Sequence, residues 1–139
     1  MKLQTWSALF ALLTLLSLSA ACSKLGVNTT KNPVEQLLTL CQEDNLKEAA
    51  KHMRYPGLDQ SKKDKTADYE SGDANEKQQI ERSCKKFKAM AALNPTISPE
   101  RTEQGFFVYD VEVQDKGKSN KQIWAFKKSG NDYILVDID

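Results

Sequence analysis

Apolar residues recur at two different periods along this chain, and the change of period divides it. Near the start, Ala8 to Leu18 form an apolar run broken only by Thr14 and Ser17. From residue 32 the spacing becomes helical. Val34, Leu37, Leu38 and Cys41 fall on one face, behind an Asn32-Pro33-Val34-Glu35 start in which Asn32 caps and Pro33 takes the first helical position. Asn45-Leu46-Lys47-Glu48 repeats that capping logic and predicts a second, shorter helix ending before Pro56-Gly57. Asp73-Ala74-Asn75-Glu76 opens a third, which carries Ile80, Cys84, Phe87 and Ala91 on one stripe and stops at Asn94-Pro95. Residues 57–73 between them are polar, with almost no large apolar side chain, and read as a mobile loop.

After Pro95 the period falls to two. Thr96-Ile97-Ser98 begins a strand that Pro99 interrupts. Phe107, Tyr109, Val111 and Val113 alternate with Asp110, Glu112 and Gln114. Asp115-Lys116-Gly117-Lys118 and Ser129-Gly130-Asn131-Asp132 are turns. Between them Trp124 and Phe126 share one face of a strand; after them Ile134, Val136 and Ile138 alternate against Tyr133, Leu135 and Asp137. Tight turns make neighbouring strands antiparallel. Helices first and a meander second predict one α+β domain over residues 32–139, with N-terminal helices packed on an antiparallel sheet of about four strands.

The beginning of the chain adds an address. Met1-Lys2 is a short positive start, the apolar run is too short for a span of about 20 residues, and Ser19-Ala20-Ala21 leads to Cys22. Small residues before a cysteine resemble the lipobox of bacterial lipoproteins, with Leu18 one place further out than the usual leucine. The resemblance implies a signal peptide over 1–21, lipid on Cys22, a lipidated tether over 22–31 and attachment to a membrane of the cell envelope. Ser23 is not Asp, which favours the outer membrane facing the periplasm. Two or three acyl chains would hold firmly where one holds marginally.

Charge narrows the partners. Removing residues 1–21 leaves 118 of 139, and the loss of Lys2 leaves 19 basic against 19 acidic residues. A neutral balance argues against nucleic acid and against binding a membrane by charge alone. Two further cysteines, Cys41 and Cys84, each sit on the apolar stripe of a helix. In an oxidising compartment a disulfide between them is the default, with free thiols or a metal pair as the alternatives.

No catalytic constellation, cofactor motif or metal-ligand spacing stands out. His52 ends the short helix beside Arg54 as a surface residue, and Asp110 with Glu112 forms a carboxylate pair or, more simply, part of a salt-bridge ladder with lysines. Tyr109, Trp124 and Phe126 could line a pocket or pack beneath the helices.

The Pro33–Leu38 opening, the Asp44–Ala50 turn into a second helix, and the closing Trp124-Ala125-Phe126-Lys127-Lys128 and Tyr133-Ile134-Leu135-Val136-Asp137-Ile138 resemble small bacterial lipoproteins of unknown function with a cystatin-like, or nuclear-transport-factor-2-like, domain. That resemblance implies a curved sheet wrapped around a long helix, leaving a cavity. The expectation is a non-catalytic envelope lipoprotein with a binding or structural role and an envelope protein as partner. The alternative is a small-molecule binder using the cavity of the sheet.

Overall fold

The computed structural model describes residues 31–139. The export signal, the Cys22 junction and most of the tether lie outside the described residues.

Three helices form where the capping residues predict them. In α1 (Pro33–Gln42), Asn32 Oδ1 accepts from the Val34 N–H at 2.8 Å and the Glu35 N–H at 3.3 Å. In α2 (Leu46–Lys51), Asn45 accepts from the Glu48 N–H. In α3 (Ala74–Ala91), Asp73 accepts from the Glu76 N–H at 2.8 Å. Each bond satisfies a donor that a helix start otherwise leaves unpaired. The stripes of α1 and α3 face each other, and Cys41 and Cys84 meet in a disulfide with Cα atoms 4.9 Å apart.

Five strands, one more than the sequence pattern predicts, make a single antiparallel sheet. They are β1 (Thr96–Ile97), β2 (Arg101–Glu103), β3 (Phe106–Asp115), β4 (Lys118–Ser129) and β5 (Asp132–Ile138). The order is β1-β3-β4-β5, with β2 also paired to β3. The additional strand is β2. Its Arg-Thr-Glu sequence carries no apolar alternation, and its hairpin rests on Gln104 and Gly105, both at positive φ. Strands β1 and β2 are two short pieces of one edge, separated where Pro99 cannot donate to the ladder. The Lys116-Gly117 turn has φ of +49° and +76°, the geometry that matches the twist of a hairpin.

Helices cover one face of the sheet. Trp124 and Phe126 are fully buried there, with Tyr109 and Val111 beside them. The Phe87 and Trp124 rings are 4.7 Å apart, so α3 lies directly on β4.

Strand β5 departs from simple alternation. Ala125 pairs with Asp137 but Phe126 pairs with Leu135, which leaves Val136 as the extra residue of a β-bulge. The side-chain phase therefore shifts along the strand. Leu135 faces the helices opposite Phe126, and Ile138 faces them opposite Trp124. Ile134, Val136 and Ile138 do not share a face, contrary to the alternation read from sequence.

The segment 57–73 holds more order than its composition predicts. Leu135 donates to the His52 carbonyl at 2.8 Å and accepts from the Arg54 N–H at 2.9 Å, which extends the sheet past β5. The returning chain then pairs with that extension: Tyr55 N–H donates to Lys65 C=O at 2.9 Å and Ala67 N–H to Met53 C=O at 2.8 Å. Ala67 joins the core, and Glu76, itself buried, accepts from the Asp68 N–H at 2.7 Å. Backbone groups tie most of this segment down, and Tyr69 adds its ring against the core and a hydrogen bond to Glu81. Gly72 is required beside it, because a Cβ there would lie 2.2 Å from the Asp68 carbonyl oxygen.

Candidate functional site: the open face of the sheet

The face of the sheet away from the helices carries a groove of about 690 Å³. Its floor follows from strand parity. Trp124 and Phe126 point to the helices, so Ile123 and Ala125 point the other way, and register puts Val108 beside Ala125. Phe106 on β3 and, because of the bulge, Ile134 and Val136 on β5 complete an apolar floor. Phe106 and Ile123 are 37% and 39% exposed, the large apolar side chains that this face presents to solvent.

The rim is charged. Arg54 and Lys65 come from the extension beyond β5, Lys63 from the returning segment, and Lys127 and Lys128 from the end of β4. None of these five takes part in an ion pair among the described residues, as is also true of Lys77, Arg82, Lys85 and Lys86 on α3. Lys128 Nζ stands 5.8 Å from the centre of the Tyr133 ring. Acidic side chains are interspersed: Asp64 stands between Lys63 and Lys65, Glu103 beside Phe106, and Asp137 and Asp139 beside Ala125 and Ile123, with Arg54 across from Val136 next to Asp137. The groove thus has an apolar floor and a rim of mixed charge.

Tyr109, Trp124 and Phe126 are brought together, but in the core. The Tyr109 and Phe126 rings are 5.7 Å apart, the Trp124 and Phe126 rings 6.4 Å, and none of the three borders the groove. Tyr109 Oη donates to the Glu100 carboxylate. Burial first, and then the hydrogen bond to the Glu100 carboxylate, push the Tyr109 hydroxyl well above the ordinary tyrosine range.

His52 is half-buried between α1 and β5 and not a free surface residue. Its Nδ1 lies 3.2 Å from the Tyr133 carbonyl oxygen and its Nε2 lies 3.3 Å from Gln36 Nε2. A carbonyl only accepts and an amide nitrogen only donates, so the neutral Nδ1–H tautomer satisfies both contacts. Both ring nitrogens are occupied by structure.

Asp110 and Glu112 make no carboxylate pair. Asp110 lies 2.8 Å from both Arg101 Nη1 and Lys121 Nζ, a salt-bridge ladder that takes in neither Lys127 nor Glu112. Its Oδ1 accepts no hydrogen bond, so the Arg101 contact is one of charge. The Lys121 ammonium, with Arg101 behind it, holds the Asp110 carboxyl below the usual carboxylate range. Glu112 accepts from Ser119 and Gln114 instead.

Sequence reasoning missed the groove, although one signal was present. Ile123-Trp124-Ala125-Phe126 is apolar at both parities, and a strand apolar on both sides has something to cover on both sides. The charged rim had no such signal, because tertiary pairing alone brings residues 54, 63 and 65 beside 127 and 128.

No group of three or more His, Cys, Asp or Glu among the described residues is placed to hold a metal ion. No described helix is long and apolar enough to cross a membrane. Compared with protein families, curated proteins and solved structures, the chain matches none.

Proposed function

We propose that this chain is a bacterial envelope lipoprotein, held to the membrane by lipid on Cys22, whose domain binds rather than catalyses and does so through the open face of its sheet. The observation that carries the binding role is the groove: Phe106 and Ile123 exposed over an apolar floor, inside a rim of charged side chains. The two groups best suited to acid–base work support a non-catalytic reading. His52 has both ring nitrogens engaged, and Asp110 is tied between two cations. The fold is read as cystatin-like, or nuclear-transport-factor-2-like, supported by an antiparallel meander with the long helix α3 laid across one face; function does not follow from that.

The test has two parts. The intact mass of membrane-extracted protein should correspond to a chain beginning at Cys22 and heavier by lipid. A photo-crosslinking amino acid at Ile123 in intact cells should give an adduct, while the same group at Lys85 on α3 gives none. A lipid-free chain would overturn the anchor, and silence at Ile123 would overturn the binding face.

A further inference from the structure

We infer that the domain stands on a lipid surface by the end of its sheet where β2 turns into β3 and β4 into β5, with Phe106 as the side chain that enters the lipid. The groove is then upright, with its Ile123 end clear of the membrane. The inference rests on the Cys22 anchor proposed above and adds the orientation that the domain takes on it.

The fold brings the start of α1 and two turns to that one end. Gln36 of α1 has its Nε2 3.3 Å from His52 Nε2, and His52 Nδ1 lies 3.2 Å from the Tyr133 carbonyl oxygen. Tyr133 pairs with Lys128, so α1 begins where β4 turns into β5. Asn32 is one helical turn before Gln36, and its carbonyl accepts from the Gln36 N–H at 2.9 Å. Phe107 lies opposite Phe126, so the Gln104-Gly105 turn reaches the level of the β4–β5 turn. The Lys116-Gly117 turn is at the other end of β3, a strand of 10 residues and so about 30 Å long.

Chain length then decides which end meets the membrane. Asn32 follows Cys22 by ten residues, which span at most about 35 Å. Lipid on Cys22 keeps the α1 end within that reach, while the Lys116-Gly117 turn can stand a strand's length beyond it. Confinement on this scale corresponds to an effective concentration on the order of mM, enough to populate a weak contact. Phe106 supplies the contact. It is 37% exposed, and the other large apolar side chains exposed among the described residues stand away from this end. Leu58 follows a segment that runs parallel to β5 and so away from its start, and Leu93 comes just before Thr96, which pairs with Glu112. Ile123 is opposite Asp110, four residues further along β3 than Phe106. Exposed apolar side chains settle at the boundary of headgroups and acyl chains. Charge does not hold the contact, since Lys127 and Lys128 are exposed at this end together with Glu103 and Asp132.

The test uses the membrane-extracted full chain, its intact mass recorded, in vesicles of phosphatidylethanolamine and dibrominated phosphatidylcholine. Phe106→Trp should lose about half the fluorescence of the added tryptophan, because such a side chain enters about 5–10 Å into the boundary, within reach of the bromines. Asn131→Trp, exposed on the β4–β5 turn with no packing to lose, should be quenched as well. Lys116→Trp and Ile123→Trp should be quenched no more than the parent chain, whose Trp124 is fully buried. Raising salt to about 0.5 M, where charges are screened within about 4 Å, should leave the quenching unchanged. Equal quenching at residues 106 and 116, or at 106 and 123, would overturn the orientation, the second by laying the open face flat on the lipid. No quenching at either 106 or 131 in a chain that carries lipid would overturn the lipid contact and leave the anchor standing. A lipid-free mass would remove the anchor and this inference with it.

Discussion

The two faces of the sheet are built from the same strands and differ in how they end. On the helix side the aromatic rings of the strands meet other rings. Trp124 meets Phe87 and Phe126, and Tyr109 meets Phe126. A disulfide then locks α1 to α3 above them. On the open side the apolar residues are smaller and fewer, and charged side chains of both signs surround them. The first face is closed by packing, which supplies stability. The second is left incomplete, and that is where a ligand can contribute contacts. Strand β4 shows the division most plainly: Trp124 and Ile123 are neighbours in sequence, fully buried and 39% exposed.

Substitution at those two neighbours is the severest test of that division. Trp124→Ala should cost about 3–5 kcal/mol of unfolding free energy in a urea titration, whereas Ile123→Ala should stay within about 0.5 kcal/mol. A comparable loss at both would mean that the open face carries core. The disulfide comes next. Its ends are 43 residues apart, and the double variant Cys41→Ala/Cys84→Ala should lose about 4 kcal/mol on the chain-entropy account. That variant should leave crosslinking from Ile123 in the folded protein unchanged, because the bond lies on the other side of the sheet. Glu76→Ala should cost less, about 1–3 kcal/mol, since it orphans the Asp68 N–H. Hydrogen exchange should then quicken over residues 67–72 before it quickens in β3 or β4.

The smallest effect concerns pH. Tyr109 has its proton held more tightly in the folded state than in the unfolded chain. The folded state therefore binds more protons above the ordinary tyrosine value of about 10. Stability from this group is fully present below that pH and falls as pH rises beyond it. Tyr109→Phe should flatten the alkaline limb of a stability-against-pH curve. An unchanged limb would show that the Glu100 contact contributes nothing.

The helix side was legible because its signals are local. Asn32, Asn45 and Asp73 mark three starts by residue type, and Val34, Leu37 and Cys41 mark an inward stripe by spacing. The Cys41–Cys84 pairing also followed from those stripes. The open side depended on events that single-strand patterns do not encode. The bulge at Val136 changes side-chain phase without any glycine or proline to announce it. Segment 57–73 looked uncommitted because its order lies in main-chain bonds to Met53 and Tyr55, and main-chain groups are the same in every sequence. Of the two readings open for Tyr109, Trp124 and Phe126, packing beneath the helices is the one the core shows, and the groove forms on the reverse of the sheet.

The bulge also gives β5 an unusual tolerance of length. In a regular strand, losing one residue turns every later side chain over, because faces alternate with a period of two. Val136 has no partner on β4. A deletion there would leave Leu135 opposite Phe126, Asp137 opposite Ala125 and Ile138 opposite Trp124, so the core would be preserved while the groove floor lost a residue. A one-residue deletion in the middle of β3, where no spare position exists, would instead carry charged side chains under the helices. Shortening of the chain is thus survivable at Val136, where it reshapes the ligand face and spares the hydrophobic interior.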